Sequence, residues 1–281
     1  MFKPWHAVRL FTILVYLFTF VPITVVILLS FNPAQFGTFP MHGVSGRWFL
    51  ALAQDAHIVR AFRTSALLGL CTSVLSTSIG VMASLALVRY RFPGREAIST
   101  LLVTPIMVPE VVLGVSLLLF MRFLDLHRNF ALLLMGHVLI TLPFVVLVVQ
   151  ARLTGISRVY EEASLSLGAN RLQTFFEVTL PLLLPAVFAG MLFAFTISFD
   201  DITATLFWKP PGVQTVPTQI YGMLRNSISP EINALGTVMI VVTVGVPLAA
   251  GALARGFARG MRRGRGAADT AVSPALEDAT P

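Results

Sequence analysis

The 281-residue chain is 56% hydrophobic and only 12% charged, with a mean hydropathy of +0.83. A soluble globular domain carries about twice that share of charged residues, so the composition excludes one and predicts an integral membrane protein. The net charge of +7 is typical of cytoplasmic loops in such a protein and does not require nucleic acid as a partner. The single cysteine, Cys71, excludes a disulfide within the chain and a cysteine-based metal site.

Hydropathy predicts an all-α bundle of six membrane-spanning helices, because each apolar run is long enough to cross about 30 Å of hydrocarbon. The first run follows Lys3 and Arg9, is too long for a signal peptide and has no small-x-small cleavage site, so it is interpreted as an uncleaved span. The second is rich in Ser, Thr, Gly and Ala, which allow close helix packing. The predicted spans are residues 10–30, 65–88, 97–121, 130–150, 181–199 and 232–254.

The segments outside these spans differ in character. Residues 31–64 contain several Gly and Pro residues, which predict a loop with a short helix near residues 48–57. Residues 200–231 predict a second irregular polar loop. Residues 262–281 begin within a basic run that ends at Arg265 and continue as a segment rich in Ala, Asp, Pro and Glu. They predict a disordered cytoplasmic tail, which leaves residues 1–261 as one transmembrane domain.

Six spans place both termini on the same side of the membrane. Thirteen of the 20 Lys and Arg residues fall on that side and seven on the other, which favours cytoplasmic termini by the positive-inside rule. The margin is moderate, because Arg122 and Arg128 lie on a short outer connector. This orientation places the polar stretch at residues 158–180, between spans four and five, in the cytoplasm.

Gly168 divides the polar stretch into two short helical halves, because glycine readily adopts the left-handed conformation that ends a helix. Ser157 is a candidate N-cap, and Glu161 and Glu162 are favourable near the positive end of the first helix. Thr179 and Pro181 are expected to restart a helix, since proline fits the first turn.

The second half of the stretch places Leu172, Phe175 and Phe176 on one apolar helix face. These patterns leave two interpretations open. The stretch is either an amphipathic hairpin that connects two spans or a docking element on the water side of the membrane.

The sequence Glu162-Ala163-Ser164, with Gly168 six residues after the glutamate and Leu180-Pro181 beyond, resembles the EAA signature of permease subunits of ATP-binding-cassette importers. Ser164 replaces the second alanine of the family pattern, a small-for-small change. The resemblance covers essentially the whole chain. It implies the type I (MetI-like) permease fold in a bacterial inner membrane, with residues 158–178 as coupling helices that dock on an ATPase. The coupling residues it implies are Glu161, Glu162, Ala163, Ser164, Gly168, Leu180 and Pro181.

The same resemblance implies the partners of the chain. They are a second permease subunit, a cytoplasmic ATPase dimer that binds ATP and Mg²⁺, and a periplasmic solute-binding protein. The chain itself is expected to bind no cofactor. It contains no Gly-x-x-x-x-Gly-Lys-Ser/Thr sequence, so the energy of ATP must come from the partner.

Shorter motifs are similar to those of spermidine/putrescine-type permeases. They are Pro105-Ile-Met-Val-Pro-Glu110, Pro143-Phe144, Ser198-Phe-Asp-Asp-Ile202 and Ser229-Pro-Glu-Ile-Asn-Ala-Leu235. This similarity implies a polyamine as the transported solute. Importers of iron, aminoethylphosphonate or opines share much of the pattern and remain alternatives.

Three acidic residues are candidates for a translocation pathway. Glu110 is expected near the middle of span three, where a charge is unfavourable unless it faces a cavity. Asp200 and Asp201 follow Pro181 by about 30 Å of helix and are expected at the outer mouth of the bundle. Carboxylates at these depths would favour a di- or tri-cation. The alternatives are a structural partner for a neighbouring helix at Glu110 and an ordinary cap and loop anchor at the aspartates, while His137 is expected to be a hydrogen-bonded packing residue.

Two other classes of membrane protein are less well supported. A membrane-embedded enzyme would need a catalytic motif, and the sequence contains no His-Glu-x-x-His, no Gly-x-Ser-x-Gly and no paired intramembrane aspartates on facing spans. A self-sufficient carrier usually shows inverted repeats, and no convincing one is visible. The sequence therefore predicts a transport subunit with no catalytic residue and no metal site.

Overall fold

The computed structural model describes residues 4–35, 40–41, 43–226 and 229–252, so the predicted tail at 262–281 and the end of the sixth predicted span lie outside the described residues. Within these ranges the regular elements are helices. They are α1 Pro4–Ser30, α2 Arg47–Gln54, α3 Ala56–Arg89, α4 Arg95–Met107, α5 Glu110–Phe123, α6 Phe130–Thr154, α7 Val159–Ser166, α8 Arg171–Thr174, α9 Leu180–Asp200, α10 Thr203–Trp208, α11 Val216–Asn226 and α12 Glu231–Ala252. The packing described below belongs to the compact unit that ends at Gly236.

Five of the described helical stretches are long and apolar enough to cross a membrane. The pair formed by α4 and α5 supplies a sixth if the two bent helices count as one span. The all-α prediction is confirmed. The short helix expected near residues 48–57 is α2, and the second span begins earlier than expected, at Ala56. Asp55 accepts hydrogen bonds from the backbone N–H groups of His57 and Ile58 and so caps α3.

The third span differs from the uninterrupted helix expected at residues 97–121. Its two halves, α4 and α5, are bent by 110° at the break. Val108, between them, has extended backbone angles, because a residue that precedes proline is disfavoured in the helical region. Glu110 therefore lies in the first turn of α5 and not in the middle of a helix.

The centre of the bundle is formed by α3, α6 and α9, and it depends on small residues. At Gly80 an added Cβ would lie 2.6 Å from Cγ1 of Val145, so the backbones can approach this closely only because the residue is glycine. Ser76 and Thr141 share a hydrogen bond of 2.6 Å across the interface. The buried face of α3 includes the small residues Gly69, Thr72, Ser73, Ser76, Thr77, Gly80 and Ser84. The close packing predicted from composition is confirmed.

Residues 200–231, which were expected to be irregular, contain two helices, α10 and α11. Trp208 ends α10 and is fully buried. Its indole Nε1 donates to the carbonyl of Gly114 at 2.9 Å, and its ring lies where a Cβ at Gly136 would be. The segment therefore packs back into the bundle against α5 and α6.

The restart expected at Thr179 and Pro181 does not occur, because residues 171–200 form one continuous helix of 30 residues. A π-helical turn at Phe175–Thr179 joins α8 to α9. The N–H of Leu180 donates to the carbonyl of Phe175, five residues earlier. Pro181 has no N–H to donate and crowds the preceding turn, and the wider π turn occurs directly before it.

Candidate functional site

The polar stretch forms the predicted helix–glycine–helix unit. Gly168 has a φ of +93°, in the left-handed region. The N–H of Gly168 donates to the carbonyl of Leu165 at 3.0 Å, and the N–H of Ala169 donates to that of Ser164 at 3.2 Å. These two bonds form the Schellman arrangement that ends a helix, so the predicted role of Gly168 as the helix end is confirmed.

Both helices have defined starts. The N–H of Val159 donates to the Ser157 hydroxyl at 3.3 Å, while the residue that immediately precedes α7 is Arg158, one position after the expected cap. Asn170 and Gln173 form a capping box at α8, with bonds of 2.9 Å and 2.8 Å. This box was not predicted, although Asn-x-x-Gln, which begins two residues after Gly168, is its signal.

The two adjacent glutamates occupy different environments. Glu161 forms a salt bridge with Arg89, the last residue of α3, with 3.0 Å between Oε1 and Nε. The same oxygen accepts a hydrogen bond from the Thr179 hydroxyl at 3.1 Å, and the guanidinium of Arg89 also donates to the Ile156 carbonyl at 3.0 Å. Glu162, in contrast, is exposed. Glu161 therefore holds α7 against the core, and Glu162 is free to face a partner.

Further bonds fix the helix pair to the bundle. Arg158 donates to the carbonyls of Val88 and Arg89 at 2.9 Å and 3.1 Å, which satisfies acceptors at the end of α3. Ser164 and Thr174 share a hydrogen bond of 3.1 Å between α7 and α8. The helices α7 and α8 are thus joined to each other and to α3.

The outward face of the helix pair is more apolar than a solvated loop requires. Leu167 is 90% exposed and Leu172 is 72% exposed, beside the exposed Glu162, Ala163 and Gly168. The predicted apolar face is divided, because Phe175 packs against the core while Leu172 and Phe176 are exposed. Leu180 is half-buried and Pro181 is exposed at the start of α9. An exposed apolar patch with a polar rim is typical of an interaction site.

The two aspartates also differ. Asp201 is buried and caps α10, accepting from the N–H of Thr205 at 2.8 Å, from the N–H of Ala204 at 3.3 Å and from the Thr205 hydroxyl at 2.6 Å. His137 is fully buried and bonds Ser198 at 2.8 Å and Thr205 at 3.0 Å, as expected for a packing residue. These contacts are those of the cap that the sequence left open as the alternative for Asp201.

Asp200 and Glu110 are the exposed members of the acidic set. Glu110 lies in the first turn of α5 and is close enough to Asp201 for the two carboxylates to repel one another. The break before α5 also ends α4, whose last carbonyl groups have no partner within that helix. In the described ranges no group of three His, Cys, Asp or Glu side chains is placed to hold a metal ion.

The all-helical fold of this chain is similar to that of solved ABC transporter chains. The chain superposes on a bacterial ABC transporter involved in the import of alginate with a TM-score of 0.71 and 17% identity, over 89% of this chain and 94% of that one. For the inward-facing MetNI methionine ABC transporter the TM-score is 0.57 with 16% identity, over 70% and 94%. At such identities the likeness establishes the fold.

The chain belongs to the family of inner membrane components of binding-protein-dependent transport systems, which it matches over residues 76–263. It is 33% identical over 246 residues to the spermidine/putrescine transport system permease protein PotC of Escherichia coli K12, over 88% of this chain and 93% of that protein. It is also 33% identical over 251 residues to the putrescine transport system permease protein PotI of the same strain, over 87% and 88%. This protein is therefore a multi-pass membrane transport component with a MetI-like fold, and not an enzyme.

Proposed function

We propose that this chain is a permease subunit of an ATP-binding-cassette importer that carries polyamines such as spermidine or putrescine across a bacterial inner membrane. The observation that carries the proposal is its 33% identity, over most of its length, to permeases of two polyamine systems. Importers of iron, aminoethylphosphonate or opines would have the same fold, and these solutes are the alternative substrates. Both termini are cytoplasmic in this proposal, as the Lys and Arg distribution favours.

Three partners complete the importer: a second permease, an ATPase dimer that binds ATP and Mg²⁺, and a periplasmic solute-binding protein. In this proposal the ATPase dimer binds the nucleotide and this chain does not. Its contribution to coupling is the α7–α8 pair, in which Glu162, Ala163 and Gly168 lie on the exposed face. Leu167 and Leu172 add apolar surface to that face, which an ATPase subunit would cover.

Movement of the helix pair would reach the membrane bundle through Glu161. Its carboxylate contacts Arg89 of α3 and Thr179 at the base of α9, so both helices receive the same displacement. The α3–α6–α9 core is closely packed and transmits strain well, since a packed interior deforms little. ATP-driven closure of the ATPase dimer would then rock this core and alternate access between the two sides of the membrane.

Exposed carboxylates would give the pathway its preference for cations. Glu110 lies at the broken span and Asp200 at the end of α9, and a di- or tri-cation can interact with both. Carbonyl groups at the end of α4 would accept hydrogen bonds from ammonium groups, as unwound helix ends do in other transporters. Ser164, Leu180 and Pro181 would position the coupling helices, and Asp201 would position α10.

The coupling role is tested by Glu162→Lys. Because the side chain is exposed, the substitution should leave membrane insertion and thermal stability unchanged while it abolishes uptake and substrate-stimulated ATPase activity of the reconstituted importer. Glu177→Lys is the matched control, since Glu177 is an exposed glutamate of the same polar stretch. Full uptake by Glu162→Lys would overturn the coupling proposal.

The substrate is tested separately, by uptake of radiolabelled spermidine into proteoliposomes that contain the whole importer. Glu110→Gln and Asp200→Asn should each raise the KM for spermidine. Glu96→Gln, an exposed acidic residue at the start of α4, should not. If neither substitution alters uptake, the acidic-pathway proposal is wrong, and uptake of another solute in place of polyamines would overturn the polyamine assignment alone.

A further inference from the structure

A group of three cationic side chains lies at the end of the molecule opposite the coupling helices. We call Arg122, Arg128 and Lys209 the cationic cluster. Arg122 is in the last turn of α5, Arg128 is in the connector before α6, and Lys209 directly follows α10. The connector and the polar stretch are joined to opposite ends of α6, whose 25 residues correspond to about 37 Å.

The cationic cluster is accessible, and its hydrogen-bond partners among the described residues are neutral. Arg122 and Arg128 are exposed and line a cavity of about 420 Å³. Arg128 donates to the Phe207 carbonyl at 3.5 Å. Lys209 donates to the Val213 carbonyl at 3.3 Å and to Oε1 of Gln214 at 2.9 Å. No member of the cluster has a salt bridge to any residue that the structure describes.

The cluster is electrostatically unfavourable by itself. Partial burial, and then the positive charge of Arg128, lower the pKa of Lys209 below the usual lysine value. Two cations that lie close enough to repel one another gain stability from an anion that binds both. Burial of Lys209 is only partial, so such an anion can approach from water.

The position of the cluster also opposes the membrane topology. Lys and Arg residues on short loops favour the cytoplasmic side, and the effect is strongest within about 15–20 residues of a span. Arg122 and Arg128 lie at a short connector on the side that the overall distribution predicts to be external. Contact with an external acidic partner would offset the repulsion between Lys209 and Arg128 and would give a role to cations on this side of the membrane.

We propose that the cationic cluster is a docking surface for acidic side chains of the solute-binding protein. The chain belongs to a family of components of binding-protein-dependent transport systems. In the proposed importer the binding protein is periplasmic and the ATPase is cytoplasmic, so the two contact opposite ends of the permease. Complementary charge steers protein association and raises its rate. A polycationic solute would be repelled here, so the cluster acts on the binding protein and not on the cargo. The proposal rests on the proposed function for the orientation in the membrane, for the binding protein as a partner and for a cationic cargo.

Asp125 allows a test in which association with the acidic partner should strengthen and not weaken. Its carboxylate shares the cavity lining with Arg122 and Arg128 and lowers the local positive potential. The residue has a φ of +53°, which asparagine tolerates, so Asp125→Asn removes the charge without altering the turn. This substitution should strengthen association with an acidic partner.

The experiment measures association of the complete importer, in nanodiscs of phosphatidylcholine, with its own binding protein at 50 and 300 mM NaCl. Arg122→Gln, Arg128→Gln and Lys209→Gln combined should raise Kd about tenfold at low salt and much less at high salt, since exposed charges are screened. Asp125→Asn should lower Kd severalfold. Basal ATPase activity without binding protein should not change, and excess binding protein should restore the substrate-stimulated ATPase activity.

Arg63→Gln is the control, because Arg63 is exposed near the start of α3 and on the same predicted side. An equal loss with Arg63→Gln would show a diffuse charge effect and overturn the assignment to the cluster. An unchanged Kd in the triple variant, or a change that salt does not reduce, would overturn it as well. If the triple variant alters only stability, and only when phosphatidylglycerol is present, the cluster binds lipid and the docking proposal is wrong. None of these outcomes depends on whether the cargo is a polyamine.

Discussion

Arg89 and Glu161 are 72 residues apart in the chain and 3.0 Å apart in the structure, measured from Nε to Oε1. Their side chains are only 10% and 19% exposed. Because Arg89 ends α3 and Glu161 lies in the first turn of α7, this pair joins the polar helix unit to the membrane core. Thr179 shares the carboxylate and adds α9 to the same junction.

Arg89→Gln should therefore destabilise the protein. The substitution removes the partner of a largely buried carboxylate and a donor to the Ile156 carbonyl, for which we expect a loss of about 1–2 kcal/mol. Thermal unfolding of the purified protein in detergent measures the effect. Arg91→Gln is the control, since Arg91 is exposed two residues later. Equal melting temperatures for the two variants would contradict a structural role for the ion pair.

Gly168→Val and Gly168→Asn should separate backbone conformation from side-chain volume. A Cβ at Gly168 meets no described atom within 4 Å, so the obstacle to a side chain there is the left-handed φ of +93°. Valine in that region costs about 1–2 kcal/mol, while asparagine enters it readily. We expect Gly168→Val to lose substrate-stimulated ATPase activity and Gly168→Asn to keep most of it. Equal activities would show that the turn does not set the coupling geometry.

The two aspartates at the end of α9 should respond differently to alanine. Asp201→Ala leaves the N–H groups of Ala204 and Thr205 without their acceptor and should cost about 1–2 kcal/mol of stability. Asp200 is exposed, so Asp200→Ala should leave the melting temperature unchanged and affect only spermidine uptake. An equal fall in melting temperature for Asp200→Ala and Asp201→Ala would contradict a structural role for Asp201 alone.

Packing around Trp208 should make Gly136 intolerant of even one methyl group. A Cβ at this position would overlap the indole ring, and overpacking of this kind costs about 1–3 kcal/mol. Gly222 is a matched control in α11, because a Cβ there meets nothing within 4 Å. Gly222→Ala should raise stability by about 0.5–1 kcal/mol through helix propensity. Thermal unfolding should show a lower melting temperature for Gly136→Ala and a higher one for Gly222→Ala.

Much of the fold could be predicted from local pattern. Apolar runs identify the crossings because only helices satisfy the backbone in hydrocarbon, and the buried face of α3 follows from its small residues. The turn at Gly168 was also predictable, since few other residues adopt its backbone angles. Each of these features depends on residues that are close together in the sequence.

Features that depend on distant contacts could not be predicted in the same way. Pro109 is a local signal for a break after Val108, but no local signal gives the bend of 110° between α4 and α5. The adjacent glutamates are equivalent in sequence, and only the position of Arg89 distinguishes Glu161 from Glu162. The helix α10 was missed although Asp201 followed by Thr203 and Thr205 is a cap signal, because the polar run was interpreted as a loop.

The π turn at Phe175–Thr179 has a consequence for chain length. Such a turn contains one residue more than an α-helical turn. Deletion of any one residue within it should yield a regular α-helix and rotate everything before it by about 100° around the axis of α9. The direction in which the α7–α8 pair points thus depends on the number of residues in the π turn as well as on their identity. A single insertion or deletion there would rotate the helix pair relative to α9 without changing any residue of the pair.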